Sequence, residues 1–211
     1  MKFPMLNIDG SKTNTIEVSD KLLKTKINYK LIKSVIDWQL NHAKPRTAKT
    51  KQRNKITGST KKIIAQKGSG GARHASKKAP IFVGGGIAHG PKGAVYKIKK
   101  INKKVRKLAI AHSLSKKNIE KKLHFLADVK NEIKKTKEFN KFLLKNNLSN
   151  VLIISDDESL KNINRSARNI KNLKLIKDNG TNIYDLFRYK NIIITSSSLK
   201  KIQERILNEK D

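Results

Sequence analysis

The sequence predicts an α/β protein, a three-layer αβα domain with a mainly parallel sheet and a long extended basic loop. Short apolar segments alternate with amphipathic segments through the second half of the chain. This alternation is typical of right-handed crossovers, in which helices cover both faces of a parallel sheet. Hydrophobic periodicity is absent from residues 44–100. We therefore expect residues 1–43 and 101–211 to form the globular domain and residues 44–100 to form the loop.

The first elements predicted are two strands. Residues 3–8 and 15–18 are short apolar segments on either side of Asp9-Gly10. An Asp-Gly pair between apolar segments favours a tight turn, so these segments are expected to pair as neighbours.

A helix is predicted next, with Asn28 as its N-cap. Apolar side chains recur at helical spacing after this cap, at Leu31, Ile32, Val35, Ile36 and Leu40. The helix is expected to end before Pro45. Trp38, the only tryptophan of the chain, is expected to pack this helix onto the sheet.

After the aperiodic segment, Asn102 is predicted to open a second helix, whose apolar stripe includes Val105, Leu108 and Ala109. The remaining elements follow from the alternation of apolar and amphipathic segments. They are an extended segment at 123–129, a helix at 137–147, a strand at 151–154, a helix at 157–169, a strand at 173–176, a short helix at 183–188, a strand at 191–195 and a helix at 198–207.

The charge of the chain is concentrated in one region. Lys and Arg number 49 against 16 Asp and Glu, which gives a net charge of +33. Between Asp37 and Glu120 the chain contains 22 Lys and Arg and no acidic residue. A segment this basic needs a polyanion to neutralise it when it is compact, and structured RNA is the best candidate.

Composition also excludes several classes of protein. Cysteine is absent, so the chain can form neither a disulfide scaffold nor a thiolate metal site. No apolar run approaches membrane-spanning length, and the first ten residues lack the apolar region of a signal peptide. We expect a soluble protein with no membrane association.

Glycine is enriched in residues 44–100, which hold nine of the 11 glycines. Gly85 and Gly90 have the spacing of a phosphate-binding loop, but Pro91 stands where its lysine should follow. Gly68 to Gly71 matches the clamp of KH domains, yet its flanking residues are aperiodic rather than helical. The glycines are better explained by close approach of the backbone to RNA phosphates, and no cofactor is expected.

The loop also contains apolar side chains that a purely solvating polycation does not need. These are Ile56, Ile63, Ile64, Ile81, Phe82, Val83 and Tyr96. They favour a loop that orders on RNA over the alternative, a disordered basic segment whose sequence is unimportant. The basic residues expected to contact RNA are Lys44, Arg46, Lys49, Lys51, Arg53, Lys55, Lys61, Lys62, Lys67, Arg73, Lys77, Lys78 and Lys92.

One segment resembles part of an enzyme site. Ser155-Asp156-Asp157-Glu158 follows a predicted parallel strand, where α/β enzymes place ligands and magnesium. The same residues also fit an N-cap, Ser155 or Asp157, followed by an acidic first turn. Nothing elsewhere supplies a nucleophile or a base, and the five histidines show no metal-binding spacing. We therefore assign no catalytic or metal-binding residue; the alternative is a magnesium-dependent α/β enzyme acting on RNA through Asp156 or Asp157.

Several specific motifs follow one another along the chain. They are Arg46-Thr47-Ala48-Lys49-Thr50-Lys51, Thr57-Gly58, Gln66-Lys67-Gly68-Ser69-Gly70, Ala72-Arg73, Pro80-Ile81-Phe82, Gly84-Gly85-Gly86, Lys103-Lys104-Val105-Arg106, Val151-Leu152-Ile153-Ile154, Ala167-Arg168-Asn169 and Asn191-Ile192-Ile193-Ile194-Thr195. Together they resemble the L-four family of large-subunit ribosomal proteins, over essentially the whole chain. The chain departs from the family at Ile64-Ala65, where Trp-Arg is common, and at Gly71, where an Arg is common.

The resemblance implies a structural protein of the large ribosomal subunit that is not an enzyme. Its domain would lie on the outer surface of the subunit, and its loop would thread into large-subunit rRNA. The loop tip, which would help line the polypeptide exit tunnel, corresponds to Gln66, Lys67, Gly68, Ser69, Gly70 and Arg73. Family members bind rRNA early in assembly, beside neighbouring ribosomal proteins and not as homo-oligomers, and some bacterial members repress their own operon. The expected location is the cytoplasm, on ribosomes, or an organellar ribosome.

Overall fold

The computed structural model describes residues 1–8, 12–44, 47–93 and 100–207. The chain divides into two compact units. We call Met1–Leu40 with Lys100–Asp211 the α/β unit, and Asn41–Lys99 the basic unit. This division does not test which unit binds rRNA, so that assignment stays a prediction. The predicted turn at Asp9-Gly10 lies outside the described residues.

The α/β unit contains a six-stranded sheet in the order β2-β1-β3-β6-β4-β5. Among the described strands, β1 and β2 pair antiparallel, whereas β1–β3, β3–β6, β6–β4 and β4–β5 are all parallel. The strands are β1 (Lys2–Leu6), β2 (Lys12–Glu17), β3 (Leu123–Leu126), β4 (Val151–Ser155), β5 (Leu173–Lys177) and β6 (Asn191–Thr195). The mainly parallel sheet predicted from the sequence is confirmed.

Seven helices are described. They are α1 (Asp20–Leu23), α2 (Tyr29–Ala43), α3 (Lys103–Ile119), α4 (Thr136–Lys145), α5 (Asp157–Ala167), α6 (Ile183–Arg188) and α7 (Ser196–Leu207). Helix α1 was not predicted, because four residues are too few to show a helical period, although Leu22 and Leu23 are both buried. Among the described residues, no helix is both long and apolar enough to cross a membrane.

Helices cover both faces of the sheet, which makes the α/β unit a three-layer structure. On one face, buried residues of α1, α2, α3, α6 and α7 pack against Leu152 and Ile154 of β4. On the other face, α4 and α5 pack against Val151 and Ile153 of the same strand. Because successive side chains of a strand point to opposite faces, residues 151–154 must all be apolar to serve both cores. This explains why β4 is an apolar run up to its last residue, Ser155.

Helix α2 begins and ends as the sequence indicates, but the contact seen for Trp38 is with helix α3 rather than with the sheet. Asn28 Oδ1 accepts a hydrogen bond from Leu31 N at 3.2 Å, which confirms the predicted N-cap. The helix ends at Ala43, before Pro45. Trp38 is half-buried at the margin of the core, with the Arg106 guanidinium of α3 5.1 Å from the centre of its ring. The contact joins α2 to α3 by a cation–π interaction, in addition to apolar packing.

Candidate nucleic-acid interface

The basic unit brings its two arms together by backbone hydrogen bonds. Lys49 and Lys92 form an isolated antiparallel bridge. Beside it, Thr50 N donates to Pro91 O at 2.9 Å, and Ile87 N donates to Lys51 O at 3.0 Å. These bonds join residues about 40 positions apart and satisfy backbone groups that would otherwise need water. The two arms of the loop therefore run side by side here.

A second set of hydrogen bonds connects the arms closer to the middle of the segment. Ile63 N donates to Ala75 O at 2.9 Å. Ser76 Oγ donates to Ser59 O at 3.3 Å. Residues 64–74 lie beyond these bonds and form the tip of the basic unit.

The six residues expected at the tip are all exposed: Gln66, Lys67, Gly68, Ser69, Gly70 and Arg73. Lys62 Nζ donates to Gln66 Oε1, which ties the start of the tip to the arm before it. Gly68 has a φ of +84°, and no atom lies within 4 Å of the position that a Cβ would occupy. Glycine is needed there for its backbone conformation and not for space.

Gly86 is needed for the opposite reason, close packing. It is buried, and a Cβ added to it would lie 2.2 Å from Arg53 N and 2.5 Å from Arg53 Cα. Its own N donates to Lys78 O at 3.0 Å. The backbone at Gly86 therefore packs directly on the start of a short 3₁₀ helix, Arg53–Lys55.

The basic side chains of this unit point almost entirely to solvent. Twelve of the thirteen predicted contact residues are described, and Arg46 lies outside the described residues. Eleven of the twelve are exposed and Lys78 is half-buried. The exposed ones are Lys44, Lys49, Lys51, Arg53, Lys55, Lys61, Lys62, Lys67, Arg73, Lys77 and Lys92. No carboxylate lies within ion-pairing distance of any of the twelve, as far as the described residues show.

The apolar residues of the basic unit fall into two groups. Ile56, Ile64 and Phe82 are half-buried, and the Phe82 ring meets His74 edge-on with ring centres 4.9 Å apart. In contrast, Ile81 and Val83 are 71% and 106% exposed. Ile63 and Ile87 are exposed as well, and Tyr96 lies outside the described residues. The first group gives the loop internal packing, and the second leaves apolar surface uncovered.

The acidic segment after β4 is arranged as a helix start. The N-cap of α5 is Asp156, not Ser155 or Asp157, so that detail of the prediction was wrong. Asp157 lies in the first turn and pairs with Lys177 Nζ at 2.5 Å, and this hydrogen bond lowers the pKa of its carboxyl. Within the described ranges, no three His, Cys, Asp or Glu side chains gather as they would around a metal ion. The geometry gives no support to a magnesium site at Asp156 or Asp157.

Two histidines of the α/β unit are packing residues. His112 is buried in α3, and burial lowers its pKa. His124 is half-buried in β3; burial lowers its pKa, opposed by a hydrogen bond with Asn191. Burial therefore favours the neutral form of both rings, which suits a core position better than a phosphate contact.

Comparison with family models and with known proteins places the chain in a single family. Residues 16–205 match the family model described as "Ribosomal protein L4/L1 family". The chain belongs to this family. It is 49% identical to the large ribosomal subunit protein uL4 of Pelagibacter ubique over 206 residues, which cover 97% of this chain and 99% of that protein. The uL4 proteins of Hyphomonas neptunium and Thermotoga petrophila are each 36% identical, over 97% of this chain and 96% and 95% of those proteins.

Family membership confirms the resemblance noted in the sequence. The matched range includes the whole basic unit, every described strand and helix from β3 to β6, and α7 as far as Arg205. The sequence indicated the basic residues of the interface directly, but it did not indicate how Ile63 and Val83 are placed. They lie in segments about 20 positions apart that meet along one groove, and no local pattern marks such a meeting.

Proposed function

We propose that this protein is a structural, non-enzymatic component of the large ribosomal subunit, and that its basic unit binds large-subunit rRNA. The observation that carries the proposal is the set of exposed Lys and Arg side chains in a stretch without acidic residues. Such a surface is suited to phosphates, which supply most of the affinity in nucleic-acid binding. Membership of a ribosomal protein family, and relatives named as large-subunit proteins, support the ribosome as the setting.

The hydrogen bonds between the arms give the positive charges a defined frame. Lysines on a random chain would neutralise phosphates without selecting a site, whereas lysines on a folded loop match one arrangement of phosphates. In this proposal the thirteen basic residues fix the position of the loop on rRNA. If eight of them contact phosphates, log K should fall with log salt at a slope of about −6 to −7.

The tip has a narrower proposed role. Gln66, Lys67, Gly68, Ser69, Gly70 and Arg73 help line the wall of the polypeptide exit tunnel. Their exposure beyond the last backbone hydrogen bond between the arms supports this role, because such residues are available to contact RNA and the peptide path.

The protein acts as a single copy beside neighbouring large-subunit proteins, on ribosomes in the cytoplasm. It joins the rRNA early in assembly, since a loop embedded in folded RNA must be in place before the RNA closes around it. The same surface would allow it to bind and repress its own messenger.

Charge substitutions in the full-length chain test the proposal. Replacing Lys49, Lys51, Lys55 and Lys92 together by Gln removes four exposed cations from the basic unit. If all four contact phosphates, the slope of log K against log salt should become less negative by about 3. The measurement is filter binding of large-subunit rRNA over a series of salt concentrations.

A matched control removes the same charge from the α/β unit. Lys30, Lys33, Lys137 and Lys171 are exposed on that unit, and their replacement by Gln should leave the slope unchanged. If both variants make the slope of log K against log salt less negative by the same amount, the proposal is contradicted. Net charge, and not the basic unit, would then determine binding.

A further inference from the structure

A groove with a volume of about 590 Å³ lies within the basic unit, between residues 56–63 and 77–84. Its walls include three aliphatic side chains, Ile56, Ile63 and Val83. The volume lies within the range of about 300–1,000 Å³ typical of small-molecule sites. A single nucleotide fits a space of this size.

The aliphatic wall is uncovered. Val83 is 106% exposed and Ile63 is 37% exposed, although Ile56 beside them is half-buried. Val83 is therefore as open to water as in an extended chain, in a loop whose backbone is held by hydrogen bonds. Contact with a flat apolar surface would remove this side chain from water, and the face of a nucleobase is such a surface.

The rims of the groove are positively charged on both sides. Lys61 and Lys62 belong to one wall, and Lys77 and Lys78 belong to the other. No Asp or Glu occurs anywhere between residues 38 and 119 to neutralise them. An occupant that satisfies this groove needs an apolar, flat centre with negative charge on either side. A nucleotide within an RNA strand has this arrangement, with its base between two phosphates.

Hydrogen bonds within the basic unit hold the two sides of the groove near each other. The bonds from Ile63 N to Ala75 O and from Ser76 Oγ to Ser59 O connect its first wall to residues 75 and 76, which directly precede its second wall. Gly58 has a φ of +146°, and a Cβ added to it would lie 3.6 Å from Lys78 Cε. The absence of a side chain at Gly58 leaves this part of the groove open between the lysines.

We infer that this groove holds one unpaired nucleotide of the bound RNA. Its base lies against Ile63 and Val83, and its flanking phosphates lie against the four lysines. Proteins recognise RNA most specifically at loops and bulges, whose bases can leave the stack. The inference rests on the proposed rRNA binding and adds a defined contact to it, one that depends on a base and not only on charge.

Chemical footprinting of the complex of full-length protein and large-subunit rRNA is the test. With the wild-type protein, one unpaired nucleotide should lose reactivity at its base edge. With Val83→Ser it should regain that reactivity, while hydroxyl-radical protection of the surrounding backbone persists. Ile81→Ser is the matched control, since Ile81 is also exposed and apolar but does not line the groove.

Affinity provides a second readout. Val83→Ser and Ile63→Ser should each weaken rRNA binding about three- to tenfold, without changing the salt slope, because they remove apolar contact and not charge. Replacing the protected nucleotide by an abasic one should cause a similar loss. Combining the abasic nucleotide with Val83→Ser should weaken binding little further, because both changes remove the same contact.

The outcomes separate this inference from the proposed function. If the wild-type protein shows no salt-dependent binding to rRNA, the proposed function itself fails, and the inference fails with it. If binding is steep in salt but Val83→Ser and Ile63→Ser behave like Ile81→Ser, only the groove inference is overturned. If Val83→Ser leaves the RNA footprints unchanged but causes loss of a neighbouring protein from the assembled subunit, the groove inference is also overturned, in favour of a protein occupant.

Discussion

Ser115 and Ser155 are both fully enclosed in the α/β unit, yet their hydroxyl groups have different surroundings. Ser115 Oγ donates to Leu22 O at 3.0 Å and lies 2.7 Å from Thr25 Oγ1. Ser155 Oγ has no hydrogen-bond partner among the described residues. A buried hydroxyl without a partner costs free energy, whereas a paired one contributes to stability. The two serines should therefore respond differently to removal of the hydroxyl.

Ser115→Ala is expected to lower the free energy of unfolding by about 1–2 kcal/mol, because it leaves the Leu22 carbonyl without its donor. Ser155→Ala, the same chemical change at an equally buried site, should leave that free energy unchanged or raise it by up to about 1 kcal/mol. Urea unfolding followed by circular dichroism measures both. If Ser155→Ala lowers the free energy of unfolding as much as Ser115→Ala does, the inference that only the Ser115 hydroxyl is stabilising is contradicted.

At the scale of elements, helix α7 depends on a residue far from it in sequence. Asp128 follows β3 and accepts hydrogen bonds from Ser196 Oγ at 2.6 Å, Ser197 Oγ at 2.6 Å and Ser197 N at 3.0 Å. Burial alone would raise the pKa of the Asp128 carboxyl, but these hydrogen bonds and the charge of Lys200 lower it overall. The contact explains why α7 begins at Ser196, two residues before the predicted start.

Asp128→Asn should lower the free energy of unfolding by about 1–2 kcal/mol at pH 6, because an amide offers a weaker acceptor than a carboxylate. The folded protein holds the Asp128 proton less tightly than the unfolded chain. Its stabilisation is therefore complete above the unfolded pKa of about 3.9 and is lost as pH falls through the lower folded value.

The measurement is urea unfolding of the wild-type protein and of Asp128→Asn from pH 6 to pH 2.5. The difference between their free energies of unfolding should become smaller as the pH falls. Asp37→Asn, at an exposed position of α2, serves as the control and should change stability little at any pH. A difference that stays constant with pH would show that the charge of Asp128 does not stabilise α7.

The fold of the basic unit depends on a glycine contact. Gly86→Ala should displace the backbone at Arg53, because its Cβ would lie 2.2 Å from Arg53 N. Gly71→Ala is the matched control, since a Cβ there would lie 4.0 Å from the nearest atom. Gly86→Ala is expected to weaken rRNA binding at least tenfold and to increase proteolysis within residues 47–93, and Gly71→Ala should do neither. Equal effects of the two substitutions would contradict the packing at Gly86.

At the scale of the whole molecule, the pairing of the arms suggests where the basic unit can be shortened. Thr50 and Pro91 are joined by a backbone hydrogen bond of 2.9 Å, so a two-residue Asn-Gly turn can replace residues 51–90. The shortened protein should still unfold cooperatively, because the cores of the α/β unit contain no residue from the deleted segment. Its binding to rRNA should lose most of its salt dependence.

Thermal unfolding by circular dichroism and salt-dependent filter binding measure these two properties of the shortened protein. A salt slope as steep as that of the intact chain would place the main phosphate contacts in the α/β unit. Loss of cooperative unfolding would show that the α/β unit needs the deleted segment in order to fold.

Most of the scaffold was predictable, because its strands and helices are marked by local patterns. β4 and β6 are nearly continuous apolar runs, and the apolar residues of α5 recur at helical spacing. Apart from the missed helix α1, the errors lie at the ends of elements. The sequence places the cap of α5 at Ser155 or Asp157, because several polar residues in a row fit the role, and only the backbone conformation selects Asp156.

The sequence by itself determined the fold class and the family, and it predicts a polyanionic partner. These follow from residue type and local period: which segments are apolar, and where acidic residues are absent. Tertiary structure alone decided which distant residues meet. Asp128 lies at Ser196 and Ser197, and Ile63 and Val83 line one groove, because hydrogen bonds between separated segments hold them there. Such bonds use backbone and short polar groups present in every sequence, so they leave no local pattern from which they can be predicted.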